Sequence, residues 1–67
     1  MLSSALKRLR QTRGLTQTEF AELLGASQAD ISRYELGQMY PTVSRLMSFC
    51  YILQVTPNQL LGVQDEV

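Results

Sequence analysis

The sequence has no histidine, a single cysteine, and no apolar run longer than Phe49 to Leu53. Each absence excludes a class of function. Without histidine, without carboxylates clustered at ligand spacing and without a glycine-rich phosphate loop, the chain offers no nucleophile with a base beside it, so an enzyme is not expected. One cysteine cannot close a zinc site, and neither a metal nor a cofactor is expected. Cys50 has no partner for an internal disulfide, which fits a reducing cytoplasm. A membrane span needs about 18 apolar residues, far more than the run at Phe49. Met1 to Arg10 carries basic residues but no apolar segment or cleavage site of an export signal.

Net charge is absent too. Six basic and six acidic residues cancel, which argues against a protein that grips polyanions by bulk charge. The distribution is less even than the sum. Lys7, Arg8, Arg10 and Arg13 crowd the beginning, whereas Asp65 and Glu66 fall in a tail, from about residue 63, expected to be disordered. Setting those two acids aside leaves six basic against four acidic residues. A chain of 67 residues has room for one domain, residues 1 to 67, with a net stability of about 3 to 5 kcal/mol.

What is present is helical periodicity. Leu2, Ala5, Leu6 and Leu9 recur at the three-and-four spacing of an amphipathic helix that Gly14 can end. Thr16-Gln17-Thr18-Glu19 has the form of a capping box, and Phe20, Ala21, Leu23 and Leu24 supply a core face up to Gly25. Ser27-Gln28-Ala29-Asp30 repeats the device with aspartate in place of glutamate, opening a helix from about Gln28 to Leu36, ahead of Gly37. Pro41 and Thr42 mark a fourth start, with Val43, Leu46, Phe49, Cys50 and Leu53 as its stripe. Thr56-Pro57 opens a short fifth helix anchored by Leu60 and Leu61. Nothing alternates with period two for long enough to make a strand, and the links are short. The expected fold is all-α, a compact five-helix bundle.

Residues 17 to 36 combine a short helix, a tight turn at Gly25 and a second short helix, with Ala21 where helices approach closely and Ile31 as anchor. With Leu15-Thr16-Gln17, Phe20-Ala21, Leu24-Gly25, Ile31-Ser32-Arg33-Tyr34-Glu35, Gly37 and Pro41-Thr42 ahead of Leu46, the chain resembles the lambdoid phage repressor and Cro family, the Xre-type helix-turn-helix regulators. The resemblance runs from Leu6 through Leu61. It implies a sequence-specific DNA-binding regulator, a repressor, whose second motif helix reads bases in the major groove while the first crosses the backbone. That places Gln28, Ala29, Ser32 and Arg33 as base readers.

The residue types suit that role. At about 100° per residue, Ile31 and Tyr34 point one way and Gln28, Ala29, Ser32 and Arg33 span an opposing arc that is polar and nearly free of acid. Arginine can bond guanine twice, glutamine can bond adenine twice, and alanine can touch a thymine methyl. Phosphate contacts are expected from Gln17 and Thr18 at one helix start, from Tyr40 and Thr42 at another, and from Arg10. The loop Gln38-Met39-Tyr40 lacks the cations many relatives carry there. Arg10 and Glu35 match a family ion pair that supports the motif. Cys50 falls where relatives place a small core residue, and Met39 and Met47 are filler or surface.

A single reading helix covers few base pairs, so a homodimer on double-stranded DNA is expected, joined through the fourth-to-fifth helix region and the C-terminal segment around Leu60, Leu61 and Val63. Leu60 or Leu61 can alternatively close the monomer core. Similar domains also serve as antitoxins, so a protein partner such as a toxin is the alternative reading.

Overall fold

The computed structural model describes residues 1–61. Five helices follow one another: α1 Leu2–Thr12, α2 Gln17–Leu24, α3 Gln28–Glu35, α4 Val43–Leu53 and α5 Pro57–Leu61. The described residues contain no strand, and the expected all-helical class is what is found. The expectation for Val63 lies outside the described residues, as do Asp65 and Glu66.

Local sequence sets the helix boundaries. At the start of α2 the Thr16 hydroxyl accepts the Glu19 amide at 3.1 Å while the Glu19 carboxylate accepts the Thr16 amide at 2.8 Å. Two amides that a helix start would leave free are thereby satisfied. Those bonds hold the Glu19 carboxyl below its ordinary value. The start of α3 realises only half of this device. Ser27 accepts the Asp30 amide at 3.0 Å, but the Asp30 carboxylate turns away to Arg45, because aspartate is one methylene shorter and a cation waits on α4. Gly25 ends α2 in the left-handed region at φ +70°. A Cβ there would meet no atom within 4 Å, so backbone conformation and not space calls for glycine.

The core gathers Leu2 and Leu6 from α1, Phe20, Ala21 and Leu24 from α2, Ile31 and Tyr34 from α3, Phe49, Cys50 and Leu53 from α4, and Leu60 from α5. Tyr34 and Phe49 meet edge to face with ring centres 6.0 Å apart, an arrangement that aromatic quadrupoles favour. Around this core α3 packs on α1 and α2, and α5 closes against α1 and α4. Arg13 adds a tie across the chain, donating to the Leu53 carbonyl at 2.8 Å and satisfying an acceptor at the end of α4.

Three apolar residues read as core face or helix anchor, Leu23, Val43 and Leu61, are not in it. Leu23 is 43% and Val43 77% exposed. In α2 the neighbouring Leu24 takes the inward position, and Val43 is the first residue of its helix, past the edge of the core. Leu60 is fully buried while Leu61 is 41% exposed, so Leu60 belongs to the monomer core and is removed as a dimer contact. Cys50 is buried as expected, and burial pushes its thiol up, away from the thiolate that reacts.

Candidate nucleic-acid interface

The motif is held by a chain of polar side chains crossing three helices. Arg10 on α1 donates from Nε and Nη2 to the two oxygens of Glu35 at the end of α3, at 2.7 and 3.0 Å, and from Nη1 to the Leu15 carbonyl at 3.0 Å. The pair is largely out of water, with 14% of the Arg10 and 4% of the Glu35 side chain exposed. A two-pronged arginine-carboxylate contact fixes orientation as well as distance. Hydrogen bonding to Glu35 raises the Arg10 guanidinium above its ordinary value. Arg10 is expected to approach phosphate as well; three of its five N–H groups are engaged inward, on Glu35 and the Leu15 carbonyl.

The chain continues outward. Glu35 Oε1 also accepts Gln17 Nε2 at 3.1 Å, and Gln17 Oε1 accepts Gln28 Nε2 at 2.7 Å. Gln17 and Gln28 are the first residues of α2 and α3, so the two helix starts are joined side by side on one surface. Gln28 retains its carbonyl oxygen and one N–H. These are the acceptor and donor that adenine needs in the major groove.

Around them lie the other expected readers. Ala29 and Arg33 are exposed and Ser32 is half-buried, with Ile31 and Tyr34 in the core on the opposite side of α3. Thr18 is exposed beside Gln17. Tyr40 and Thr42 stand together at the other helix start; Tyr40 is 66% exposed, and the Thr42 hydroxyl caps α4 by accepting the Arg45 amide at 3.2 Å.

Two participants are not evident from the sequence pattern. Arg45 on α4 donates from Nη1 to Asp30 at 3.1 Å and to the Tyr34 hydroxyl at 2.8 Å, so the arc is bordered by a carboxylate that periodicity gave no reason to single out. The available signal was isolation: Arg45 is the one charged residue between Glu35 and Asp65. The second is the outer face of α4. Val43, Met47 and Tyr51, four residues apart, are 77%, 51% and 86% exposed, and Ser44, Ser48 and Gln54 fill the same exposed side. That side carries no charge.

The geometry just described is a helix-turn-helix with an ordered polar surface at the start of its second helix, and a family model described as a helix-turn-helix domain matches residues 2–61. The chain belongs to the Xre-type helix-turn-helix regulators. An HTH-type transcriptional regulator, y4dJ of Sinorhizobium fredii, is 36% identical over 98% of this chain and 86% of its own length. The antitoxin PezA of Streptococcus pneumoniae is 34% identical over 92% of this chain and 39% of its own. The HTH-type transcriptional activator BcrR of Enterococcus faecalis is 35% identical over 90% and 29%. The chain thus spans well under two thirds of the length of PezA and of BcrR.

Proposed function

We propose that this helix-turn-helix chain is a sequence-specific transcriptional regulator, acting as a repressor in the cytoplasm, that lays α3 in the major groove of a DNA half-site. The observation that carries this reading is the Arg10–Glu35–Gln17–Gln28 chain, which joins the two helix starts and presents Gln28 with its adenine-matching pair of groups free. Gln28, Ala29, Ser32 and Arg33 read bases. Gln17, Thr18, Tyr40 and Thr42 meet the backbone, where hydroxyl, amide and helix-start donors suit phosphate oxygens. Two copies bind together, each with its α3 in one of two successive grooves roughly 34 Å apart. The contact between copies is made by the uncharged outer side of α4 together with Leu61, since apolar and hydroxyl groups can be removed from water there without stranding a charge.

Selection from random duplexes is the test. An enriched palindrome with half-sites about one helical turn apart supports the reading, and no enriched motif contradicts it. The likeness to an antitoxin favours one second reading, in which the domain binds its operator and also neutralises a partner protein. Co-purification of a second small protein in fixed ratio from the native source would support that one.

A further inference from the structure

The four side chains Asp30, Arg33, Tyr34 and Arg45 form a group at the edge of the reading arc. Tyr34 is the fixed point: it is 2% exposed and its ring is locked against Phe49. Its hydroxyl accepts Arg45 Nη1 at 2.8 Å, and the same nitrogen donates to Asp30 Oδ2 at 3.1 Å. The carboxylate therefore takes its place from the core, by way of Arg45. Its other oxygen, Oδ1, faces Arg33 Nη1 at 3.5 Å.

We propose that Asp30 is a positioning residue for base readout: held by Arg45, it orients Arg33 so that one edge of the guanidinium is offered to a guanine. This rests on the assignment of α3 as the reading helix. A guanidinium has two donor edges, and contact at Nη1 leaves the Nε and Nη2 edge open, whose parallel N–H groups match guanine O6 and N7. Arg33 needs such a guide. Its side chain is 55% exposed, and a long exposed arginine left to itself samples many rotamers and reaches phosphates as readily as bases. A contact of 3.5 Å between exposed groups is weak by itself; the anchored carboxylate is what gives it a direction. The carboxylate also repels phosphate on that flank, which disfavours DNA bound in a wrong register. A purely structural Asp30 would act differently. As an acid in the first turn of α3 and a link to α4 it would change stability, and with it the affinity for every DNA sequence alike.

The test compares the duplex selected by the unaltered chain with single-base variants of it and with random duplex of equal length. Asp30→Asn keeps the shape and removes the charge; Tyr34→Phe keeps the ring and every charge but removes one of the two groups that hold Arg45 Nη1. For Asp30→Asn we expect several-fold tighter binding to random duplex and a loss, on the order of tenfold, of discrimination at the base pair read by Arg33, with the Gln28 position unchanged. Tyr34→Phe should weaken discrimination at the same base pair to a lesser degree. A uniform change of affinity across all sequences would overturn the proposal, as would unaltered discrimination at that base pair in both folded variants. Should Asp30→Asn fail to fold by circular dichroism, Tyr34→Phe decides alone. If Arg33→Ala leaves every position of the selected site unchanged, Arg33 reads no base and the proposal fails; the assignment of α3 itself fails only if Gln28→Ala leaves the site unchanged as well.

Discussion

The two ends of the chain are built differently. In α1, α2 and α3 charged side chains are frequent and many are bonded: Arg10 with Glu35, Glu19 with Thr16, Asp30 with Arg33. In α4 and α5 the one charged residue is Arg45, and it turns back toward α3. Both regions contribute to the core, seven residues from α1, α2 and α3 and four from α4 and α5, so the contrast is one of surface. An exposed helix face usually carries charge, and one without it, bearing Val43, Met47 and Tyr51, is suited to being covered. A directional polar surface suits recognition of hydrogen-bonding edges, whereas a neutral one suits contact with a like surface.

The largest expected effect comes from breaking the buried pair in the charged region. Arg10→Ala leaves the Glu35 carboxylate, 4% exposed, without its partner, and should cost about 3 kcal/mol or more. Chemical denaturation measures this. A loss below about 1 kcal/mol would mean that the pair behaves as a surface contact and that the contrast between the regions has been overdrawn.

Tyr51→Glu attacks the neutral side. Tyr51 is 86% exposed, so the stability of the single chain should move by no more than about 0.5 kcal/mol. Binding to a two-half-site duplex should weaken by about tenfold or more, because two like charges would face each other across a two-fold contact. Titration of full and half sites separates the outcomes. Equal affinity of the variant and the unaltered chain for the full site would place the contact elsewhere.

Many of the features behind these expectations were legible in sequence, for a physical reason. Caps and turns are local: Thr16 and Glu19, or Gly25 in its left-handed conformation, act within a few residues of themselves. The Arg10–Glu35 contact could be anticipated only through family resemblance, being 25 residues apart. Asp30–Arg45 had no such pattern. Leu23 and Val43 show the limit of periodicity, which marks apolar positions near a face but does not decide which of two neighbours turns inward or where a core stops. The linkage of Gln17 to Gln28 depends on how α2 and α3 cross, and no spacing encodes that.

A smaller effect is expected at the α2 start. Thr16→Ala removes a capping hydroxyl and should cost about 1 kcal/mol at neutral pH. The Glu19 carboxyl is lowered by its bonds to Thr16, so its contribution is present above the ordinary carboxylate range and is lost as pH falls through its lowered value in the folded chain. Thr16→Ala keeps the amide that the Glu19 carboxylate accepts, so its gap from the unaltered chain in thermal melts should largely persist into acid, whereas the gap of Glu19→Ala should narrow there as the carboxyl is protonated. A Glu19→Ala gap that stayed constant from neutral to strongly acid pH would remove the reciprocal half of the cap from the account.

The most direct measurement repeats selection from random duplexes with Gln28→Ala and Arg33→Ala beside the unaltered chain. Each variant should lose preference at its own position within the half-site, by about 1 to 3 kcal/mol of discrimination, while the other positions and the half-site spacing persist. If both variants enrich the same motif as the unaltered chain, α3 does not read the bases and the account of this surface is wrong.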